Sequence, residues 1–131
     1  MSDWTVVVPD ATRPLDYAAV LRPLLAKLNG EVTVRVGLGL HRPMTTAELA
    51  PLVAVCAEMR AKLDQHDPHV PRAFGDRVVA VGVVEPHQYA GFSGGVKGLV
   101  IGCGSAATIA EMHSVPMLAA CGARVGWFEG N

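Results

Sequence analysis

"TVVVPDATRPLDYAAVLRPLLAKLNGEVTVRVGLGLHRP", residues 5–43, sets two β-branched runs on either side of a leucine-rich segment. Thr5 to Val8 is short, β-branched throughout and stopped by Pro9, which reads as a buried parallel strand. Leu21, Leu24, Leu25 and Leu28 fall at helical spacing, and Asn29-Gly30 is a helix stop. Pro23 should kink this helix or delay its start. Val32 to Leu40 then supplies a second strand. Strand, helix and strand in that order make a parallel unit with a crossover.

The same alternation continues outward. "MTTAEL" (44–49) predicts a helix with Thr45 as cap, Glu48 closing a capping box and Met44 stapled to Leu49. Leu49, Leu52, Val53, Cys56, Met59 and Leu63 are its expected buried face, with a bend at Pro51. Arg77 to Val84 predicts a third strand. Gly98 to Gly102, "GLVIG", reads as a fourth strand or a helix start. Ser105 to His113 reads as a serine-capped helix, and the tail from Cys121 as a last strand. The expected fold is therefore α/β: one three-layer, Rossmann-like domain over residues 1–131 with a mostly parallel sheet.

The bulk numbers agree with one domain. The chain has 131 residues, 50% apolar and 18% charged, with 5% aromatics, so aliphatic side chains must fill the core. A net charge of -1 gives no basic face for nucleic acid. No apolar run approaches the roughly 18 residues needed to cross a bilayer. Cys56, Cys103 and Cys121 are far apart, and the N-terminus shows no signal pattern, so reduced thiols in a cytoplasm are expected.

In a parallel sheet, ligands collect at the carboxyl ends of the strands. "DATRP" follows the first strand, "GLHRPMT" the second and "EPHQYAGFSGG" the third, so all three should open on one edge. They bring Asp10, Thr12 and Arg13, then His41 and Arg42, then His87, a glycine turn and Lys97. Cationic side chains beside a nest of backbone N–H groups favour an anion, either a phosphate on the nest or a carboxylate on an arginine fork. Two histidines from different loops can act as acid and base on opposite sides of one carbon.

Each feature also has a plainer reading. Asp10 and Arg13 can pair and pin a turn, His41 can cap the next helix, and "GFSGG" can be a simple turn. His66 and His69 in "HDPH" have the look of metal ligands but suit closure of a helix C-terminus better. His113 ends a helix, where a histidine is commonly solvated or stabilised by the helix dipole. Convergence of three polar loops on one edge is what turn chemistry alone does not explain. Of the nucleotide motifs, "GFSGGVKG" fails as a phosphate loop, because Gly98 stands where a magnesium-binding hydroxyl is needed. "GCGSAA" (102–107) fits G-x-G-x-x-A and leaves a minor dinucleotide reading open.

"DATRP", "GLHRPMT", "HDP", "PHQYAGFSGGVKG" and "TIAEMH" occur in the order and style of the lactate racemase family, which this chain resembles over nearly its whole length. Those enzymes are 2-hydroxyacid racemases and epimerases that use a nickel-pincer nucleotide. The resemblance implies that Lys97 carries the cofactor through a thioamide and that His113 completes the nickel coordination. It implies an acid/base pair in His41 and His87, and an Arg13 that orients the substrate carboxylate. Asp10 and Thr12 belong to the same motif and are expected to help bind the nucleotide, whose phosphate the Ser93, Gly94 and Gly95 turn would receive. The reaction implied is inversion at C2 by reversible hydride transfer to the cofactor, with a planar 2-keto acid between.

The chain departs from that family in length. Family members run on past "GWFEGN" into a second domain that closes over the site, and "VIG" (100–102) replaces a usual proline-glycine. The expectation is an isomerase's N-terminal, cofactor-binding domain, with a C-terminal half or a second copy as partner and a small 2-hydroxy acid as substrate. An open half-site would be wet, so the chain by itself can be inactive. Protein made without the cofactor-making enzymes is expected to be empty. The alternatives are a non-catalytic nucleotide- or phosphate-binding α/β module, or a truncated relative without activity.

Overall fold

The β-branched runs at the start of the chain form the centre of a sheet. The computed structural model describes residues 3–120, 122–129 and 131; the thiol expectation for Cys121 lies outside them. β1 (Asp3–Pro9) pairs in parallel with β2 (Glu31–Gly37), Val6 opposite Val34 and Val8 opposite Val36. β2 pairs with β3 (Lys62–Gln65), and β1 on its other side with β4 (Arg77–Ala80), giving the order β3-β2-β1-β4, all parallel. After β3 the chain returns across the sheet to lie beside β1. The strand order therefore reverses between β1 and β4, which is where such sheets open a crevice at their carboxyl ends.

One face of the sheet packs on α1 (Tyr17–Leu25) and α2 (Thr46–Met59). Val6, Val8, Val34 and Val36 meet Leu21, Leu25, Leu52, Val55 and Cys56 in one buried cluster. Full burial of a leucine such as Leu21 stabilises by roughly 2 kcal/mol. The opposite face carries Thr5, Val7 and Arg35. Arg35 forms a bidentate ion pair with Asp64, its register partner on β3, and donates to the carbonyls of Arg72 and Ala73 at 3.0 and 3.1 Å. Gly75 donates to the Thr5 hydroxyl at 2.8 Å. Residues 72–75 thus cover this face beside α3 (Gly95–Val100), which packs on β1 and β4.

Asp16 caps α1 by accepting from Ala19 N–H at 3.0 Å. Pro23 lies inside this helix, which ends two residues later rather than at Asn29. The capping box on α2 is present as expected, with Glu48 accepting from Thr45 N–H at 2.7 Å and Thr45 Oγ1 accepting from Glu48 N–H at 3.3 Å. Arg42 clamps Glu48 at 2.8 Å and, ahead of the Thr45 hydrogen bonds, pushes its carboxyl down to about 2.

Several elements differ from expectation. Val53 is exposed and Val55 buried, so the inner stripe of α2 is Leu52, Val55 and Cys56. Arg60 ends α2 in the left-handed conformation, φ 57°, and Ala61 N–H turns back to the Cys56 carbonyl. Leu63 therefore falls in β3, a strand the sequence hid because "KLDQ" is polar. β4 stops at Ala80 and not Val84. Beyond Val81, the Val83 carbonyl and Glu85 N–H pair with the Ser93 hydroxyl instead of a neighbouring strand. A two-stranded antiparallel hairpin follows, β5 (Pro86–His87) and β6 (Gly91–Phe92). "GLVIG" resolves as α3 and the turn after it. α4 (Ala106–Met112) has its Ser105 cap, and the short α5 (Val115–Leu118) follows. The tail forms no strand among the described residues; Gly126 N–H makes one bond to the Gly91 carbonyl.

Candidate functional site

The crevice between the carboxyl ends of β1 and β4 is a cavity of about 320 Å³. The loops after β1, β2 and β4 form its walls, and α3 and α4 bring Lys97 and His113 to it. Asp10, Thr12, Arg13, His41, His87, Ser93 and Gly94 all line it; Gly95, one residue further into the turn, does not.

Asp10 organises the first loop. One carboxylate oxygen accepts from the N–H and hydroxyl of Thr12, and the other meets His41 Nδ1 at 2.6 Å. Burial alone would raise the Asp10 pKa, but the hydrogen bonds from Thr12 and His41 outweigh it and hold the carboxyl below its ordinary value. An ionised Asp10 can only accept, so His41 donates from Nδ1, and Nε2 is the nitrogen it turns to the rim. His41 is not a helix cap, since Thr45 does that work. Nor do the side chains of Asp10 and Arg13 pair, since Arg13 reaches instead to Glu85 at 3.0 Å.

His87 is set the opposite way. Its Nδ1 accepts from the backbone N–H groups of Tyr89 and Ala90 at 3.3 and 3.2 Å. The neutral ring therefore has its proton on Nε2. Burial, then the nearby charges of Lys97, Arg13 and His113, lower its pKa and keep it neutral. With His41 neutral, the two imidazoles offer the cavity a lone pair and an N–H.

Lys97 sits half-buried two residues after Gly94 and Gly95, whose φ values of 77° and 50° turn the chain from the hairpin into α3. Burial first, then Arg13, lowers its pKa, with Asp10 opposing, so the amine is easier to deprotonate than a surface lysine. His113 caps the C-terminus of α4 and donates from Nδ1 to the Ile109 carbonyl at 2.7 Å, leaving Nε2 free as a ligand. A smaller cavity of about 90 Å³, walled by Met112, Met117 and Leu118, shares Lys97, His87 and His113.

Two expected participants are occupied elsewhere. Ser93 is buried and spends its hydroxyl on Val83 and Glu85, which shapes the loop rather than offering a proton to a ligand. Arg42 belongs to Glu48. "GCGSAA" follows a helix and not a strand, and its first glycine is required by packing. A Cβ on Gly102 would lie 2.2 Å from the Gly98 carbonyl oxygen and 3.4 Å from Gly37 Cα. The dinucleotide reading thereby loses its structural context. His66 and His69 follow β3 and close no helix, and no group of three His, Cys, Asp or Glu side chains suited to a metal occurs among the described residues. The residue that sequence reasoning missed is Glu85, the anchor of Arg13, which stands two places before His87 in "EPH".

A sequence model of the lactate racemase N-terminal domain matches residues 2–74 and 70–126. No curated protein matches the chain by sequence. The solved structure of the lactate racemase apoprotein from Thermoanaerobacterium thermosaccharolyticum superimposes on 99% of this chain with a TM-score of 0.84 at 26% identity. The chain spans 37% of that protein's length.

Proposed function

The chain belongs to the lactate racemase N-terminal domain family, and from that premise we propose that it is the nickel-pincer-nucleotide-binding part of a 2-hydroxyacid racemase or epimerase. The observation that carries this reading is the gathering of Lys97, His113, His41, His87 and Arg13 around one cavity. The donor set fits the cofactor. The described residues offer no three-ligand protein site for a metal, while His113 presents one imidazole nitrogen, which suits a nickel whose other donors arrive with the nucleotide. Lys97, with its depressed pKa, is the nucleophile that would hold it.

When bound, the nucleotide would supply reversible hydride acceptance at C2. The chain does the rest. Arg13 has one Nη engaged by Glu85, which fixes the plane of its fork and leaves other N–H groups for the substrate carboxylate. His41 Nε2 takes the hydroxyl proton, and Asp10 stabilises the imidazolium that results. His87 Nε2–H donates to the same oxygen from a second loop. For the opposite enantiomer the histidines exchange roles: the His87 proton moves through solvent from Nε2 to Nδ1, which breaks its two long bonds to Tyr89 and Ala90 and bares Nε2 as the base, while His41 donates from Nε2 as an imidazolium paired with Asp10.

The test is inversion of a single enantiomer. Protein co-expressed with the cofactor-making enzymes, and with the remainder of a full-length racemase, should convert one lactate enantiomer to a mixture. His41→Ala and His87→Ala should each lower that rate on the order of 10²-fold or more. Undiminished racemisation in both variants would remove the acid/base roles.

A further inference from the structure

The "HDP" stretch, residues 66–68, lines neither cavity, yet His66 is only 7% exposed. Its Nε2 lies 2.8 Å from the Gly104 carbonyl oxygen, which can only accept, so the ring proton is on Nε2. Its Nδ1 is buried and meets no donor among the described residues. A buried histidine with one nitrogen left unpartnered calls for a reason beyond packing. Two residues on, the Pro68 carbonyl accepts from Ala106 N–H at 2.9 Å. These two bonds grip both sides of Ser105, the residue that starts α4.

The opposite end of α4 is His113. Ile109, 2% exposed, seats the middle of the helix. α3 is anchored separately, because Gly39 N–H donates to the Gly102 carbonyl at 2.9 Å. Gly104 has no room to repack, since a Cβ there would meet the Val100 carbonyl oxygen at 2.2 Å. The start of the helix bearing His113 comes against the end of the helix bearing Lys97 at Gly104, but of the two helices it is the one bearing His113 whose start the His66 ring holds.

We propose that His66 is a positioning residue for His113: its bond to the Gly104 carbonyl fixes the start of α4 and so sets the ligand imidazole beside Lys97. This rests on the reading of His113 as the nickel ligand.

Hydrogen exchange on the chain tests it without cofactor. In His66→Leu, the amides of Ile109 and His113 should exchange at least tenfold faster, while Val34 in the sheet is unchanged. His66→Gln, whose amide nitrogen falls near the position of Nε2, should restore slow exchange. In the loaded protein, the Lys97 adduct should form to the same extent in His66→Leu, with severalfold less nickel per adduct, and Gln should again restore it. Should the Leu variant not fold, His66→Asn, whose amide is too short to reach Gly104, supplies the same comparison. Exchange in α4 within twofold of the unaltered chain, a Gln variant as impaired as the Leu one, or failure of both Leu and Asn variants to fold would each overturn the proposal. If the unaltered chain gains no adduct, the nickel reading fails, and the exchange comparison still decides the role of His66.

Discussion

Asp10 Oδ2 and His41 Nδ1 stand 2.6 Å apart, and the pair joins the loop after β1 to the loop after β2. The carboxylate is nearly buried while the imidazole is mostly exposed, with side-chain exposures of 7% and 61%. A buried group thus orients an exposed one. Asp10→Asn keeps the shape but lets the amide offer an N–H to Nδ1, which would shift the proton to Nε2. Such a change in the loaded enzyme should lower kcat on the order of 10²-fold or more with a smaller change in KM. Steady-state kinetics on both enantiomers would show it, and an equal loss in KM alone would speak for a binding role instead.

The same carboxylate ties stability to pH. Its folded pKa lies below the ordinary 3.8, so its contribution is fully present above that value and is lost as pH falls through 3.8 and below. Thermal melts should show Asp10→Asn less stable than the unaltered chain at neutral pH. The gap should narrow as the pH drops below 3.8.

Gly98 and Gly102, four residues apart, should respond in opposite senses. Gly98 lies in α3 with nothing within 4 Å of an added Cβ, so Gly98→Ala should stabilise by about 0.5–1 kcal/mol. Gly102→Ala must push aside the Gly98 carbonyl, and it should cost about 1–3 kcal/mol. Chemical denaturation of both variants gives the comparison directly.

Arg35 and Asp64 form the chain's buried cross-strand ion pair, with side-chain exposures of 7% and 17%. Asp64→Ala leaves the guanidinium without its counter-charge and should cost about 3 kcal/mol or more. Asp64 also meets Arg72 at 3.5 Å, so the segment over that sheet face should loosen as well, seen as faster amide exchange at Gly75.

The sequence carried the central strands and the site's loops well, because both follow from local rules. Val6–Val8 are apolar and β-branched, Val32, Val34 and Val36 alternate along the second strand, and a parallel sheet sends its loops to one edge whatever the loop sequences are. Thr45 and Glu48 announce a helix start by themselves. What stayed illegible depends on distant partners. "KLDQ" is polar, and its pairing beside β2, with Asp64 opposite Arg35, shows only in three dimensions. "VGVV" after Ala80 leaves the sheet because Ser93 takes its backbone groups. "GLVIG" has the residues of a strand, yet it ends α3 and makes the turn that brings Gly102 against Gly37. The pairing of Asp10 with His41, and not with Arg13, likewise needed three dimensions, since all three residue types fit either pairing on paper.

The most direct test of the central claim is the intact mass of the chain after co-expression with the cofactor-making enzymes, followed by peptide mapping and nickel determination. The account predicts a covalent adduct on Lys97 with bound nickel, absent from Lys97→Ala and retained without nickel in His113→Ala. An unmodified chain under conditions that load an established lactate racemase, or an adduct that survives Lys97→Ala, would contradict it.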